Sequence, residues 1–233
     1  MTKAVVDIET DGLDATKIHC IVAKSYTSNK TKTWIGEECK QFPTWASQIT
    51  EFIMHNGVSF DGPVINKLLG KSIPLTKIRD TLLESQLYNP IREGGHSLES
   101  WGERLSYPKG EFNEFYSFNP EMLEYCKRDA ELTKKVAMTL EDESKYFSTK
   151  SYDMECKVRA IIDRQQTNGF AFNLREAMSL YSKLMDEQTK LEGQAEETFE
   201  PTQIKLKTKT KEIPFNIASR MQIADRLMKR GWK

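Results

Sequence analysis

The sequence predicts an α/β domain of about 145 residues, followed by a helical segment. Three short runs with strand-like patterning open the chain at 3–10, 18–26 and 31–35, and turn residues separate them. Later apolar residues recur at helical spacing, most clearly in the run that begins at Pro120. From Tyr152 onward the patterns are those of long, charged, amphipathic helices, which indicates a second segment.

Composition limits the classes of protein that the chain can represent. Its 233 residues suffice for one domain and part of another, and 38% hydrophobic with 29% charged residues is typical of globular proteins. No run approaches the roughly 20 apolar residues of a membrane span, and no secretory signal is visible. We expect a cytoplasmic protein without disulfides or structural zinc, because its cysteines are scattered and form no CxxC pair: Cys20, Cys39, Cys126 and Cys156.

The middle of the chain predicts mainly helices and turns. One helix should begin near Pro43 and run through Phe52, and His55-Asn56-Gly57 should form a turn. The next helix should start at Gly62-Pro63, because proline is tolerated in a first helical turn. Further elements follow in order: helices at 81–88 and 97–105, an aromatic loop at 106–120, and a helix from Pro120 through Leu140.

The second segment predicts two helices, a hairpin and a last helix. The helices cover 153–167 and 174–199, and the last helix begins at Ser219 with Gln222 completing a capping box. The intervening hairpin is basic, with lysines alternating with leucine and threonine: Lys205, Lys207, Lys209 and Lys211. Residues 201–233 carry a net charge of +7, which leaves −7 on the rest of the neutral chain. This tail either contacts nucleic-acid phosphates or is a solvated hairpin.

Two carboxylates mark the end of the first predicted strand. Alternation places Asp7 and Glu9 on the same face, where their charges repel each other. A cation would relieve this repulsion, so the pair resembles half of a metal site. The other reading of Asp-x-Glu is an exposed, acidic strand end.

Two further acids stand where such a site could be completed. Asp61 lies at a predicted helix start, where it either binds a metal or caps the helix. Asp129 follows Tyr125 by four residues, which stacks the phenol and the carboxylate on one helix face. Four carboxylates at one point would require cations, and two divalent metals would neutralise them.

The order and spacing of these residues resemble the DEDDy 3′→5′ exonucleases. More narrowly, the chain is similar to the proofreading domain of family A DNA polymerases, especially those of short-tailed bacteriophages. A histidine in place of Glu124 would mark the histidine branch of these nucleases, so the tyrosine branch is preferred. The matching segments are Asp7–Leu13, His55–Asp61, Asp80–Ser85, Ser97–Gly102 and Phe215–Trp232.

This resemblance implies a fold and a division of the chain. Residues 1–148 would form an RNase H-like exonuclease domain with a mixed central sheet flanked by helices. Residues 149–233 would form a helical extension with a basic hairpin, similar to the start of a polymerase thumb region.

The resemblance also implies a metal centre with two Mg²⁺ or Mn²⁺ ions. Asp7 would bridge the ions, Glu9 and Asp129 would complete one site, and Asp61 would hold the second ion through water. Tyr125 would orient the attacking water. A phenol with a pKa of about 10 stays protonated at neutral pH, so it would not act as a base.

Five residues near these acids are candidates for substrate binding: Thr10, Leu13, His55, Asn56 and Phe60. Leu13 either wedges beside the terminal base or is a core residue. Phe60 either packs under the substrate sugar or, as we favour, anchors its helix. His55 and Asn56 either bind the terminal strand or stabilise their turn.

The expected activity is removal of nucleotides from single-stranded 3′ ends of primer-template DNA, without membrane association, in a bacterial host's cytoplasm if the chain is phage-encoded. Nothing resembles the polymerase palm or fingers, so we expect a polymerase-domain polypeptide as partner. The chain would be part of a split polymerase or a fragment of a longer one. The apolar helix face that includes Met221 and Met228 would contact that partner or a second copy. An RNase D-like exoribonuclease and a non-catalytic scaffold remain alternatives.

Overall fold

A mixed five-stranded sheet forms the centre of the first part of the chain. The strands are β1 (Lys3–Thr10), β2 (Ile18–Ser25), β3 (Thr31–Ile35), β4 (Glu51–Met54) and β5 (Ile78–Asp80). Their order across the sheet is β3-β2-β1-β4-β5. Neighbours among β1 to β3 run antiparallel, whereas β4 runs parallel to both β1 and β5. The three predicted strands are confirmed.

The structure is a computed structural model that describes residues 2–70, 72–205 and 210–232, without the side chains of 202–205 and 210–211. The chain divides into two compact units, Met1–Gly169 and Phe170–Lys233. In the described ranges, no helix has the length and apolar character needed to cross a membrane. The four cysteines are free thiols, as predicted.

Six α-helices accompany the sheet in the described part of the first unit. Four of them, α3 to α6, begin at a residue whose side chain caps the helix; Asn119, for example, accepts a hydrogen bond from the Met122 amide at 2.8 Å. The helices are α1 (Phe42–Ala46), α2 (Asp61–Leu69), α3 (Thr81–Tyr88), α4 (Leu98–Arg104), α5 (Pro120–Ser144) and α6 (Thr149–Asn168).

Strand β1 separates two apolar layers because successive side chains point to opposite faces. Ala4, Val6 and Ile8 pack into the larger core cluster on one face. Val5 points to the other face, where it packs with Cys126 of α5. Period-two alternation therefore sends Asp7 and Glu9 toward α5 as well, and this places the acidic pair beside that helix.

The predicted helix from Pro43 through Phe52 is wrong at its carboxyl-terminal end. Helix α1 stops at Ala46, and Phe52, Ile53 and Met54 are fully buried in strand β4. A parallel strand covered on both faces is apolar at every position, so it lacks the alternation that identifies strands. The sequence does not predict strand β5, because three residues are too few to show an alternating pattern.

The second unit contains α7 (Leu174–Thr198), β6 (Thr202–Lys205), β7 (Thr210–Ile213) and α8 (Arg220–Lys229). Antiparallel pairing of β6 with β7 confirms the predicted hairpin, although Lys207 and Lys209 lie outside the described residues. Ser219 caps α8 as predicted, but the Gln222 side chain accepts from the Asn216 amide at 2.8 Å and does not complete the capping box.

Helix α6 lies in the first compact unit, although the sequence assigned it to the thumb-side segment. Its Tyr152 and Cys156 pack against the larger core cluster of that unit. The functional boundary after residue 148 stays a prediction.

Candidate metal centre

All ten predicted site residues line one cleft of about 500 Å³. It lies at the carboxyl end of β1, between the start of α2 and one face of α5. The lining consists of Asp7, Ile8, Glu9, Thr10, Gly12, Leu13, His55, Asn56, Phe60, Asp61, Leu98, Lys109, Phe115, Tyr125 and Asp129. Residues more than 100 positions apart in the sequence therefore meet in one concave site.

Strand β1 contributes the first two acids. The Sγ of Cys126 lies 3.5 Å from the backbone oxygen of Asp7 and ties the strand to α5 at that point. Side-chain ligand atoms of Asp7, Glu9 and Cys126 all lie within 4.8 Å of one another. Beyond Glu9 the pairing with β2 shifts at an irregularity, so the strand leaves its regular ladder beside the cleft.

Asp61 is the first residue of α2 and is buried. The alternative that it serves as the helix cap is wrong, because the cap position is Phe60 and no side chain accepts a capping hydrogen bond there. The amide of Gly62 instead donates to the oxygen of Gly57 at 2.9 Å. The Asp61 carboxylate is thus left to face the cleft at a helix amino terminus, which favours negative charge.

Helix α5 contributes Tyr125 and Asp129, one turn apart as predicted. Asp129 is only 4% exposed, and its Oδ2 lies 2.9 Å from Nζ of Lys109. Its other oxygen, Oδ1, is buried and has no hydrogen-bond partner among the described residues. An unpartnered buried carboxylate oxygen is costly, so this atom fits a role as a cation ligand.

The electrostatics of the cleft disfavour four ionised carboxylates. Burial raises the pKa of Asp7 well above its usual range, and the charges of Asp61, Asp129 and Glu9 raise it further. Burial, followed by Asp129, raises the pKa of Glu9 to about 8, while burial raises that of Asp61 to about 7. Burial also raises the pKa of Asp129 despite the opposing charge of Lys109.

The donor set fits a hard divalent cation. Carboxylate oxygens are the ligands that Mg²⁺ and Mn²⁺ prefer, and a bound cation would stabilise the ionised carboxylates against the burial that raises these pKa values. Asp7, Glu9, Asp61 and Asp129 form this candidate centre. The role of each carboxylate and the number of bound ions stay predictions.

Tyr125 lines the same cleft as the four acids. Its ring lies 5.6 Å from that of Phe112 and 6.4 Å from that of Phe115, measured between centroids. Burial raises the pKa of its phenol, so the hydroxyl is neutral at physiological pH. A neutral hydroxyl can orient a water molecule by hydrogen bonding but cannot act as a strong base.

Among the predicted substrate residues, Leu13 is 92% exposed, so the alternative of a core leucine is wrong. Phe60 both lines the cleft and packs against the larger core cluster. Nδ1 of His55 lies 2.9 Å from Oγ1 of Thr81, which supports a role in stabilising the turn. Thr10 donates to the oxygen of Gly12 at 2.9 Å. Contacts of these residues with a substrate stay predictions.

Three further residues of the cleft carry no recognisable signal in the sequence: Lys109, Phe115 and Leu98. The first two lie in the segment before α5 that was predicted only as a loop. Arg128 donates to the oxygen of Pro108 at 2.7 Å, and Nε2 of His19 lies 3.0 Å from the oxygen of Phe115. These contacts join residues far apart in the sequence and fix the loop against the cleft, so no local sequence pattern predicts them.

The mixed five-stranded sheet and its flanking helices form an α/β fold that matches an RNase H-like exonuclease fold. A structure of Brucella melitensis NrnC matches with a TM-score of 0.58, covering 74% of this chain and 89% of NrnC at 16% identity. A structure of the same protein with bound Mg²⁺ matches with a TM-score of 0.56 at 15% identity. At these identities the likeness shows the fold alone.

Sequence comparison places the chain beside phage polymerases. It is 25% identical to the DNA-directed DNA polymerase of Escherichia phage T7 over 262 residues, and equally identical to that of Enterobacteria phage T3 over 259 residues. Each alignment covers 84% of this chain, and the chain spans 37% of the length of these relatives. No family model matches the sequence. The resemblance to phage DNA polymerases predicted from the motifs is confirmed.

Proposed function

We propose that the chain is a metal-dependent 3′→5′ exonuclease that removes nucleotides from DNA 3′ ends and proofreads for a phage-type family A DNA polymerase. The observation that carries this proposal is the convergence of Asp7, Glu9, Asp61 and Asp129 in one cleft, with the buried Oδ1 of Asp129 unpartnered among the described residues. The similarity to phage DNA polymerases and the fold likeness to a protein with bound Mg²⁺ support it.

The proposed metal ligands are these four carboxylates, with Mg²⁺ or Mn²⁺ as the ions. When bound, two divalent ions would activate water and stabilise the leaving oxygen of a phosphodiester. In the overall reaction, water adds to phosphorus and the bond to the 3′ oxygen breaks. The products are a nucleoside 5′-monophosphate and a strand shortened by one nucleotide, which keeps a free 3′ hydroxyl.

The protein side chains would bind and orient the reactants. Tyr125 holds the attacking water through its neutral hydroxyl, and Lys109 supplies positive charge for a phosphate oxygen beside Asp129. The exposed Leu13 packs against the terminal base, while Thr10, His55, Asn56 and Phe60 bound the nucleotide space. A single strand fits this arrangement because a paired base could not enter the cleft unless it unstacked.

The proposed partner is a polypeptide that carries the polymerase activity. Met221 and Met228 on α8 are 85% and 58% exposed, and α7 also presents exposed apolar side chains. Such a surface favours protein contact over solvent. Co-purification of the chain with a candidate polymerase polypeptide would test this part separately.

The decisive experiment is digestion of a 5′-labelled DNA primer with a 3′ mismatch, with and without Mg²⁺. Asp7→Ala/Glu9→Ala is the test variant, and Asp142→Ala is the matched acid control because Asp142 is exposed on α5 and pairs with Lys145. We expect stepwise shortening by wild type and by the control, and no shortening by the double variant or in EDTA.

Equal shortening by wild type and the double variant, or none by either, would refute the exonuclease assignment. A parallel RNA primer decides the substrate: faster shortening of RNA would favour the exoribonuclease alternative. An inert wild type that still binds the polymerase polypeptide would favour the scaffold alternative.

A further inference from the structure

Asp80 is a buried acid that does not line the cleft. It lies at the end of β5, is 1% exposed, and caps helix α3. Its Oδ1 accepts hydrogen bonds from the amides of Leu82 at 2.9 Å and Leu83 at 3.4 Å, which is ordinary helix capping. The capping bonds use only one side of the carboxylate.

The same carboxylate also binds the loop that precedes Asp61. Oδ1 accepts from the amide of Asn56 at 3.0 Å, and Oδ2 accepts from the amide of Val58 at 2.9 Å. Strand β4 and strand β5 are neighbours, so this interaction spans adjacent strand ends. Charge-assisted hydrogen bonds of this kind are stronger than those between neutral groups.

The bound loop has a conformation that needs such support. Asn56 has φ of 66°, in the left-handed region that non-glycine residues seldom adopt. Gly57 cannot be replaced without movement, because a Cβ there would lie 2.3 Å from Cβ of Met54. The chain then turns directly into α2, whose first residue is Asp61.

Thr81 makes a second connection to the same loop. Its hydroxyl donates to the oxygen of Met54 at 3.2 Å, so it accepts from Nδ1 of His55 across 2.9 Å. The hydroxyl of Thr81 thus serves both as a donor and as an acceptor, and the residue is fully buried. Two consecutive residues thus hold both ends of the segment 54–58.

We propose that Asp80 and Thr81 are positioning residues, which set the place of Asp61 in the cleft by holding the loop 55–60. The proposal rests on the proposed exonuclease function. Neither residue lines the cleft, and their effect passes through the backbone of Val58 and the side chain of His55. Loss of this clamp, defined as Asp80 and Thr81, moves Asp61 relative to Asp7 without removing any carboxylate from the cleft.

Asp80→Asn is the informative variant because it separates the two sides of the carboxylate. The amide oxygen can retain the bonds from Leu82 and Leu83, while the amide nitrogen, being a donor, cannot accept from Val58. Thr81→Val removes the second connection and preserves shape. Asn173→Ala is the matched control, because Asn173 caps α7 in the other unit and lies outside the cleft.

Three quantities are measured on the full chain: kcat and KM on a single-stranded DNA primer, Mn²⁺ affinity by calorimetry, and hydrogen exchange of the peptide that covers 55–61. For Asp80→Asn we expect kcat to fall about 10-fold, with little change in KM. We also expect weaker Mn²⁺ binding and faster exchange in that peptide. Thr81→Val should change the same quantities less, and Asn173→Ala should change none.

Faster exchange with unchanged kcat and Mn²⁺ affinity would overturn the proposal, because the clamp would then be only structural. Unchanged exchange would overturn it too. If Asp80→Asn does not fold, Thr81→Val decides by the same criteria. If wild type proves inert on DNA, the exonuclease function fails, yet a loss of Mn²⁺ affinity confined to the clamp variants would still support positioning of Asp61.

Discussion

Nζ of Lys109 lies 2.9 Å from Oδ2 of Asp129 and 5.0 Å from the centroid of the Tyr125 ring. The ammonium group therefore contacts one of the four cleft acids and the face of the neighbouring phenol. Its charge lowers the pKa values of Asp129 and Glu9 against the larger effect of burial. The lysine thus stabilises, in part, the ionised acids that a divalent cation would also stabilise.

Lys109→Met should lower the melting temperature of the metal-free protein and increase the gain in melting temperature on adding MgCl₂. Removing the ammonium leaves Asp129 without its counter-charge, and Mg²⁺ no longer competes with lysine for that carboxylate. Binding to the folded state raises stability in proportion to the logarithm of ligand concentration over Kd. Thermal unfolding with and without MgCl₂ measures both effects.

Lys127→Met is the matched control for this change. Lys127 pairs with Glu124 on the outer face of α5, and surface pairs contribute little. Equal gains from MgCl₂ in wild type and Lys109→Met would show that the lysine does not compete with a metal.

Tyr125→Phe should reduce kcat about 10- to 100-fold, which corresponds to the loss of one hydrogen bond of about 1.5–3 kcal/mol in the transition state. The aromatic contacts with Phe112 and Phe115 do not involve the hydroxyl, so the fold is retained. Single-turnover digestion of a labelled primer gives the rate.

Tyr107→Phe serves as the control for Tyr125→Phe, because Tyr107 packs against Arg128 and does not line the metal cleft. An equal reduction in both variants would mean that loss of a phenol affects the enzyme only through its structure.

In the absence of metal, the free energy of unfolding of the wild type relative to that of Glu9→Gln should decrease as pH rises. The folded-state pKa of Glu9 is about 8, above its ordinary value of 4.5. Between these values the folded state binds more protons than the unfolded state, so the free energy of unfolding falls with increasing pH. Glutamine has no titrating proton at this position.

Urea denaturation in EDTA at pH 5, 6, 7 and 8 measures this difference. Using the wild type minus variant difference cancels titrating groups that do not interact with Glu9, such as His55, whose pKa burial lowers to about 4. A difference that is constant or increases with pH would contradict the raised pKa of Glu9. Adding Mg²⁺ should reduce the decline, because the cation stabilises the ionised carboxylates.

Phe52→Ala should lower the free energy of unfolding by about 3–5 kcal/mol, as for other large aromatic residues removed from a packed core. Phe52 is fully buried in β4, between β1 and β5. Phe172→Ala should change stability little, because Phe172 is 76% exposed. Urea denaturation monitored by circular dichroism compares the two variants. A loss of unfolding free energy for Phe52→Ala as small as that for Phe172→Ala would contradict the core position of Phe52.

Much of the site follows from short-range patterns in the sequence. Strand alternation put Asp7 and Glu9 on one face, and helical spacing put Tyr125 and Asp129 one turn apart. Both are local consequences of backbone geometry and need no knowledge of distant contacts. The order of these segments also sufficed to indicate the resemblance to phage polymerases.

The tertiary structure alone decided which distant groups serve those acids. The identity of β4 as a strand depends on its burial between β1 and β5, and no periodicity encodes that burial. Lys109 reaches Asp129 from a loop, and Asp80 binds the Val58 amide across neighbouring strand ends. Such contacts are fixed by the packing of whole elements, whereas the sequence by itself determines the spacing of side chains within each element.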